Sequence, residues 1–135
     1  MRYDLARQAL ATAIGATAAG FTVVPENHKF DAPPGVTWIR WSLRPVTAKM
    51  ADIGAKMERN DGLIWFQIFV PEGGGTVDAM KISDALGALF FEKYLTVDGS
   101  TTMRCHAGKL NFVGPDPTGW QIWRLIVDYQ LDVFP

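Results

Sequence analysis

Cysteine is almost missing from this 135-residue chain, where Cys105 stands alone. A single cysteine cannot close an intramolecular disulfide, so no staple framework holds the fold, and a reducing, intracellular setting fits best. With only two histidines beside it, a structural zinc site of the usual four-ligand kind is excluded. Excess charge is missing too. Thirteen Lys and Arg against fourteen Asp and Glu leave a net charge of −1, which gives no bulk attraction to nucleic acid or to membranes. No stretch approaches the ~18 apolar residues of a membrane span. The Ala-rich start MRYDLARQALATAIGATAAGF has one Arg before Leu5. Asp4, Arg7 and Gln8 interrupt any signal-like apolar core, so this segment reads as part of the mature domain. Internal repeats and low-complexity linkers are absent as well.

What is present is large apolar side chains. Nearly half the residues are hydrophobic, and five Trp and eight Phe supply core or interface anchors. The length suits a single domain over residues 1–135, with one core and no metal or disulfide.

Tyr3 to about Ala18 predicts a helix. Leu5, Ala9, Ala13 and Ala16 form one stripe, Leu10 and Ile14 lie beside it, and Arg7 and Gln8 face away. Gly20 is a plausible stop. Phe21 to Val24 is a short strand, followed by the stiff link PENHKFDAPPG. VTWIRWSLRP alternates: Ile39, Trp41 and Leu43 share one face, while Trp38, Arg40, Ser42 and Arg44 share the other, wet or interface face. Val46 to Asp61 has no clean period, and is either a long hairpin arm or a mobile loop.

LIWFQIFVP is the most hydrophobic strand, with Ile64, Phe66, Ile68 and Val70 on one side and Leu63, Trp65, Gln67 and Phe69 on the other. Apolar bulk on both sides places it centrally, and Pro71 ends it. A second helix runs from Thr76 to about Lys93, with Ala79, Ile82, Leu86 and Leu89 or Phe90 as its buried stripe. Asp98-Gly99 and Ala107-Gly108 then read as hairpin turns. In the last strand Trp123, Leu125, Val127, Tyr129 and Leu131 face one way, and Trp120, Ile122, Arg124, Ile126 and Asp128 the other. Short connections between strands favour an α+β fold, a mostly antiparallel sheet with two helices packed on one face.

Four places in the sequence carry residues with possible chemistry. Between strand and helix, PEGGGTVDAMK has the layout of a phosphate-binding loop, but no Lys follows the glycines, and Glu72 and Asp78 would repel a phosphate. It reads as a flexible turn with Thr76 as the helix N-cap. Cys105 and His106 are adjacent on a strand and point to opposite faces, so a buried or interface thiol is preferred to a nucleophile. Asp128 and Asp132 would stand ~13 Å apart, too far to share one glycosidic bond, and more often such residues keep a face soluble. Arg40 and Arg44 beside Trp38 are able to meet a phosphate backbone, though two Arg on an exposed strand face more often form surface ion pairs. No catalytic, cofactor or metal motif emerges.

The order of landmarks resembles the small tail terminator proteins of long-tailed phages over nearly the whole chain. After an Ala-rich first helix come Asn27, Phe30, Pro33, Pro34, Gly35, Trp38, Arg40 and Pro45, similar to the family's Pro-Pro-Gly run and Trp-x-Arg strand. Arg59, Gly62, Gln67, Pro71, Gly74 and Phe90 follow, similar to its polar-Gly turn, long strand and Gly-rich turn, and a Trp-led final strand begins at Trp120. The resemblance implies a non-enzymatic virion protein of the tail, assembled in the host cytoplasm and using no cofactor. It further implies a hexameric ring that caps the tail tube protein, stops its polymerisation and presents a surface to head-tail connector or neck proteins, with DNA only passing through the channel and no membrane partner.

A closed ring needs two different patches per subunit. Trp65, Phe69, Trp120 and Ile122 are apolar material left over for such contacts. Trp38, Arg40 and Arg44 line the wet or interface face of their own strand, Arg124 shares a face with Trp120 and Ile122, and Lys49, Lys56 and Arg59 charge the arm. Together these are the candidate subunit or tube interface. Two alternatives stand beside this reading: another head-tail connector or tail-completion ring protein, or a small ligand-binding domain or hydrolase with His28, Cys105 or Arg40 at the mouth of a cleft.

Overall fold

The computed structural model describes residues 3–33, 35–50, 58–73, 76–98 and 101–133. The period-two segments of the sequence become long strands, and the period-3.6 segments become helices. In chain order the elements are α1 (Tyr3–Ile14), β1 (Thr17–Ala18), β2 (Phe21–Pro25), β3 (Trp38–Met50), β4 (Glu58–Pro71), α2 (Val77–Phe90), β5 (Lys93–Asp98), β6 (Thr101–Cys105), β7 (Lys109–Pro115) and β8 (Trp120–Val133). The α+β class holds, with two helices beside one curled, mixed sheet of eight strands. Its order is β1-β2-β3-β4-β8-β6-β5, and β7 also pairs with β8.

The sheet departs from the expectation drawn from short connections. β2 runs parallel to β3, with Val23 opposite Ile39, while the other pairings are antiparallel. Parallel neighbours need a connection of about a dozen residues, and the Pro-rich link between Pro25 and Trp38 supplies it. Ala107-Gly108 is not a hairpin turn. β6 and β7 lie end to end along the same edge of β8, β6 against residues 129–133 and β7 against 121–126. His106 bridges the break by donating its N–H to the Asp128 carbonyl at 2.9 Å. The arm is paired as far as it is described: Thr47 to Met50 lie opposite Asp61 to Glu58. Residues 51–57, and with them Lys56, lie outside the described residues.

The core forms where β3, β4, β6 and β8 turn alternate residues inward. Ile39 and Trp41, Ile64, Phe66 and Ile68, Met103 and Cys105, and Leu125, Val127, Tyr129 and Leu131 are all buried there. Ala6, Leu10 and Ile14 of α1 and Ala79, Ile82, Leu86 and Phe90 of α2 join the same cluster. The first helix is shorter than expected and rotated by one position, so Leu5, Ala9 and Ala13 flank the buried stripe and Ala16 is exposed beyond the helix end. Arg7 does not face away: it lies 5.4 Å from the Trp41 ring centre and donates to the Glu26 carbonyl. In α2, Phe90 takes the last core position and Leu89 is exposed.

Candidate assembly face

Strand alternation that sends one set of residues inward sends the other set to the opposite face. The register of β3, β4 and β8 aligns that second set in rows across three strands. Trp38 meets Phe69 and Ile122; Arg40 meets Gln67 and Arg124; Ser42 meets Trp65 and Ile126; Arg44 meets Leu63 and Asp128. Seven of the residues expected at an interface are thus gathered on one face. Trp120 lies at its end, opposite Pro71, in a depression of about 270 Å³ with Ala32, Gly35 and Thr118. Arg59 is separate, six residues down β4 and so ~20 Å from Trp65. Lys49 sits opposite Arg59 in the arm.

The rows are stitched by aromatic rings. Trp38 and Phe69 stack with ring centres 4.2 Å apart and planes 9° from parallel, and Phe30 tilts against Trp38 at 5.0 Å. Trp38 is thereby only 8% exposed, closed in by its own subunit. Trp65 stays half-buried between two cations, with the Arg44 guanidinium 4.0 Å and that of Arg124 5.0 Å from its ring centre. Arg40 lies 5.2 Å from the Trp38 ring and donates to the His28 carbonyl at 3.1 Å. Arg44 Nε donates to Ser42 Oγ at 3.3 Å.

Arg40 and Arg44 were expected in surface ion pairs; among the described residues neither pairs with a carboxylate. The electron-rich ring faces hold the guanidiniums instead. The Nε of Arg40, the Nε of Arg124 and the indole N–H of Trp65 are shut off from the surface and find no acceptor among the described residues. Toward the arm the same face changes character. Arg59 makes a two-pronged pair with Asp132 at 2.9 and 3.2 Å, which raises its guanidinium pKa further.

The motifs with possible chemistry are accounted for structurally. Gly73 adopts a left-handed φ of 84°, and Glu72 N–H donates to the Gly119 carbonyl, so the turn after β4 is tied to the β7–β8 hairpin. Gly74 and Gly75 lie outside the described residues. Thr76 occupies the N-cap position, but its hydroxyl makes no capping bond. Asp78 accepts from the Thr37 hydroxyl at 2.9 Å. Cys105 is buried in the core, and desolvation pushes its thiol up to about 11. A thiol that resists ionisation is a poor nucleophile. Among the described residues no group of His, Cys, Asp and Glu is arranged to hold a metal ion, and no helix is long and apolar enough to cross a membrane.

Sequence reasoning missed two surfaces. β7 exposes Phe112 and Val113, each about half accessible (51% and 53%). The signal was there, since two adjacent apolar residues in a strand cannot both point inward. α2 exposes Val77 and Met80 on the side away from the core.

The sequence profile of the family described as "Phage tail terminator protein" matches residues 5–122. No curated protein matches by sequence. A solved structure with 20% identity superposes with a TM-score of 0.74, covering 100% of this chain and 99% of the other, which shows that the two share a fold.

Proposed function

The chain belongs to the phage tail terminator family, and on that premise we propose that it forms a ring, a hexamer by family analogy, which caps the tail tube and stops its growth. The family is structural rather than enzymatic, which makes the chain a component of the phage tail. In the proposed reading it has no catalytic role and takes no cofactor. Its partners are further copies of itself, the tail tube protein on one side and head-tail connector or neck proteins on the other. DNA passes through the central channel, and assembly takes place in the host cytoplasm before the tail joins the head.

The observation that carries this reading is the family match, which spans α1 from Leu5, the whole of α2 and every strand but the greater part of β8. The platform of Trp65, Arg44 and Arg124 supports it, because half-buried Trp and Arg are typical anchors of protein interfaces. The test is to add purified protein to polymerising tail-tube subunits. Tubes are expected to stop lengthening and to carry a ring at one end in electron micrographs. Unchanged tube lengths, with the protein bound instead to connector rings, would replace the terminator reading with the connector one.

A further inference from the structure

We propose that the arginine–tryptophan platform on the outer sheet face receives the outward face of α2 from a second copy of this chain. The inference rests on the ring reading above and specifies one of its contacts. The platform is rich in donors and poor in acceptors. Arg40 and Arg124 flank Gln67 in one row, ~10 Å apart across two strand spacings. Arg44 leans on Trp65 beside them, and no carboxylate among the described residues pairs with any of the three. Half-buried Leu63, Ile122 and Ile126 surround this group. The face asks for a partner with a carboxylate set among apolar side chains.

The outward side of α2 has that composition. Val77 (60% exposed), Met80 (48%) and Asp84 follow one another at helical spacing on the side opposite Ala79, Ile82, Leu86 and Phe90. Asp84 is exposed and has no partner among the described residues. Lys81 stands one turn before it, and the platform offers Asp61 and Asp128 on its arm-side margin to receive that charge. Each patch thus carries a charge that the other can receive.

Position also fits. α2 covers the inner face of the sheet and the platform is on the outer face, so one copy offers its helix while the next offers its sheet. Such a contact between unlike patches repeats head to tail, as a ring requires. A phosphate backbone is the competing partner for three arginines. The aliphatic surround and the flanking carboxylates Asp61 and Asp128 favour protein.

The test uses the full-length chain in light scattering over a concentration series, alone and with tube subunits. Asp84→Arg and Arg124→Asp are each expected to weaken self-association about tenfold or more, and the double variant to recover most of the loss. Asp84→Asn and Arg124→Gln serve as gentler second variants, and thermal melts confirm that each is folded. Wild-type assembly in both charge reversals, or a double variant weaker than either single, would overturn the inference and leave the ring reading standing. Loss of retention on duplex DNA in Arg124→Asp, with Asp84→Arg assembling normally, would overturn it in favour of phosphate. A wild type that stays monomeric even with tube subunits would remove the ring reading and the inference with it.

Discussion

The two faces of the central strands share a backbone and differ in nearly everything else. Inward, β3, β4 and β8 present Ile39, Trp41, Phe66, Leu125 and Val127, all sealed from solvent in the core cluster that residues of both helices join. Outward, one residue along each strand, they present Arg40, Trp65 and Arg124, all half-buried, with Arg124 over the Trp65 ring and Arg40 over that of Trp38. Pairing register is common to both faces, so whatever fixes the inner face also places the outer one. The sealed apolar residues are on one side, and the proposed recognition falls to the other.

Truncating one tryptophan from each face is the most direct way to break this contrast. Trp41→Ala empties the core and should cost about 3–5 kcal/mol, a large part of the roughly 5–15 kcal/mol that holds a domain together. Trp65→Ala gives up two cation–π contacts at a half-exposed site, worth about 0.5–1 kcal/mol each. Urea titration should therefore separate the two by several-fold in lost stability. Assembly should rank them in the opposite way when judged per unit of stability lost. Equal losses in urea would mean that the outer face is as much a part of the core as the inner one.

Gly62 sharpens the comparison at the base of the arm, where it lies opposite Tyr129. Its missing side chain would point inward against Tyr129: a Cβ there would stand 2.5 Å from the phenol oxygen, 2.6 Å from the ring and 2.7 Å from the Arg44 carbonyl. Neither a ring packed in the core nor a backbone oxygen yields easily. Gly62→Ala is expected to cost about 1–3 kcal/mol, the usual range for overpacking. The damage should appear as a lower thermal midpoint, with hydrogen exchange accelerated around residues 62 and 129. A neutral substitution would show that β4 has slack at the point where the arm leaves the body.

Much of this arrangement was legible in the sequence, and the rest fails for identifiable reasons. The alternation in LIWFQIFVP and in the final strand puts residues 63–70 of β4 and the large residues of β8 on their correct faces, because large side chains leave no doubt about parity, whereas residues 58–61 of β4 have no clean period and are not assigned by it. In α1 the Ala-rich sequence offers two stripes of nearly equal merit, and contact with the sheet chooses Ala6, Leu10 and Ile14. The parallel pairing of β2 with β3 depends on what lies beside a strand, which no local pattern records. Ala107-Gly108 looks like a turn because it holds a glycine; a Cβ at Gly108 would stand 2.8 Å from the Ile126 carbonyl and closer still to the Phe91 ring. The candidate site was legible as a list of residues on outward faces. Its rows were not, since the alignment of Arg40 with Gln67 and Arg124 is set by register across three strands.

The smallest effect comes from the end of β6. Cys105 turns into the core, and His106, the next residue, lies where β6 breaks before β7. Burial raises the Cys105 thiol to about 11 from an ordinary value of 9.0. A group whose pKa is higher in the folded state keeps its full contribution below the unfolded value and loses it as pH rises. At neutral pH the thiol is protonated in both states and contributes no slope. Between about pH 9 and 11 the unfolded chain has already released its proton while the folded chain retains it. Stability should then fall by at most about 1.4 kcal/mol per pH unit on account of this group. Lysine and tyrosine side chains titrate in the same range, so the difference between wild type and Cys105→Ala isolates the thiol. The variant should be less stable near neutrality from the lost packing, yet show a flatter decline above pH 9. Parallel declines in the two proteins would mean that the inner face at Cys105 admits water, and that the separation of the two faces is weakest at this end of β6.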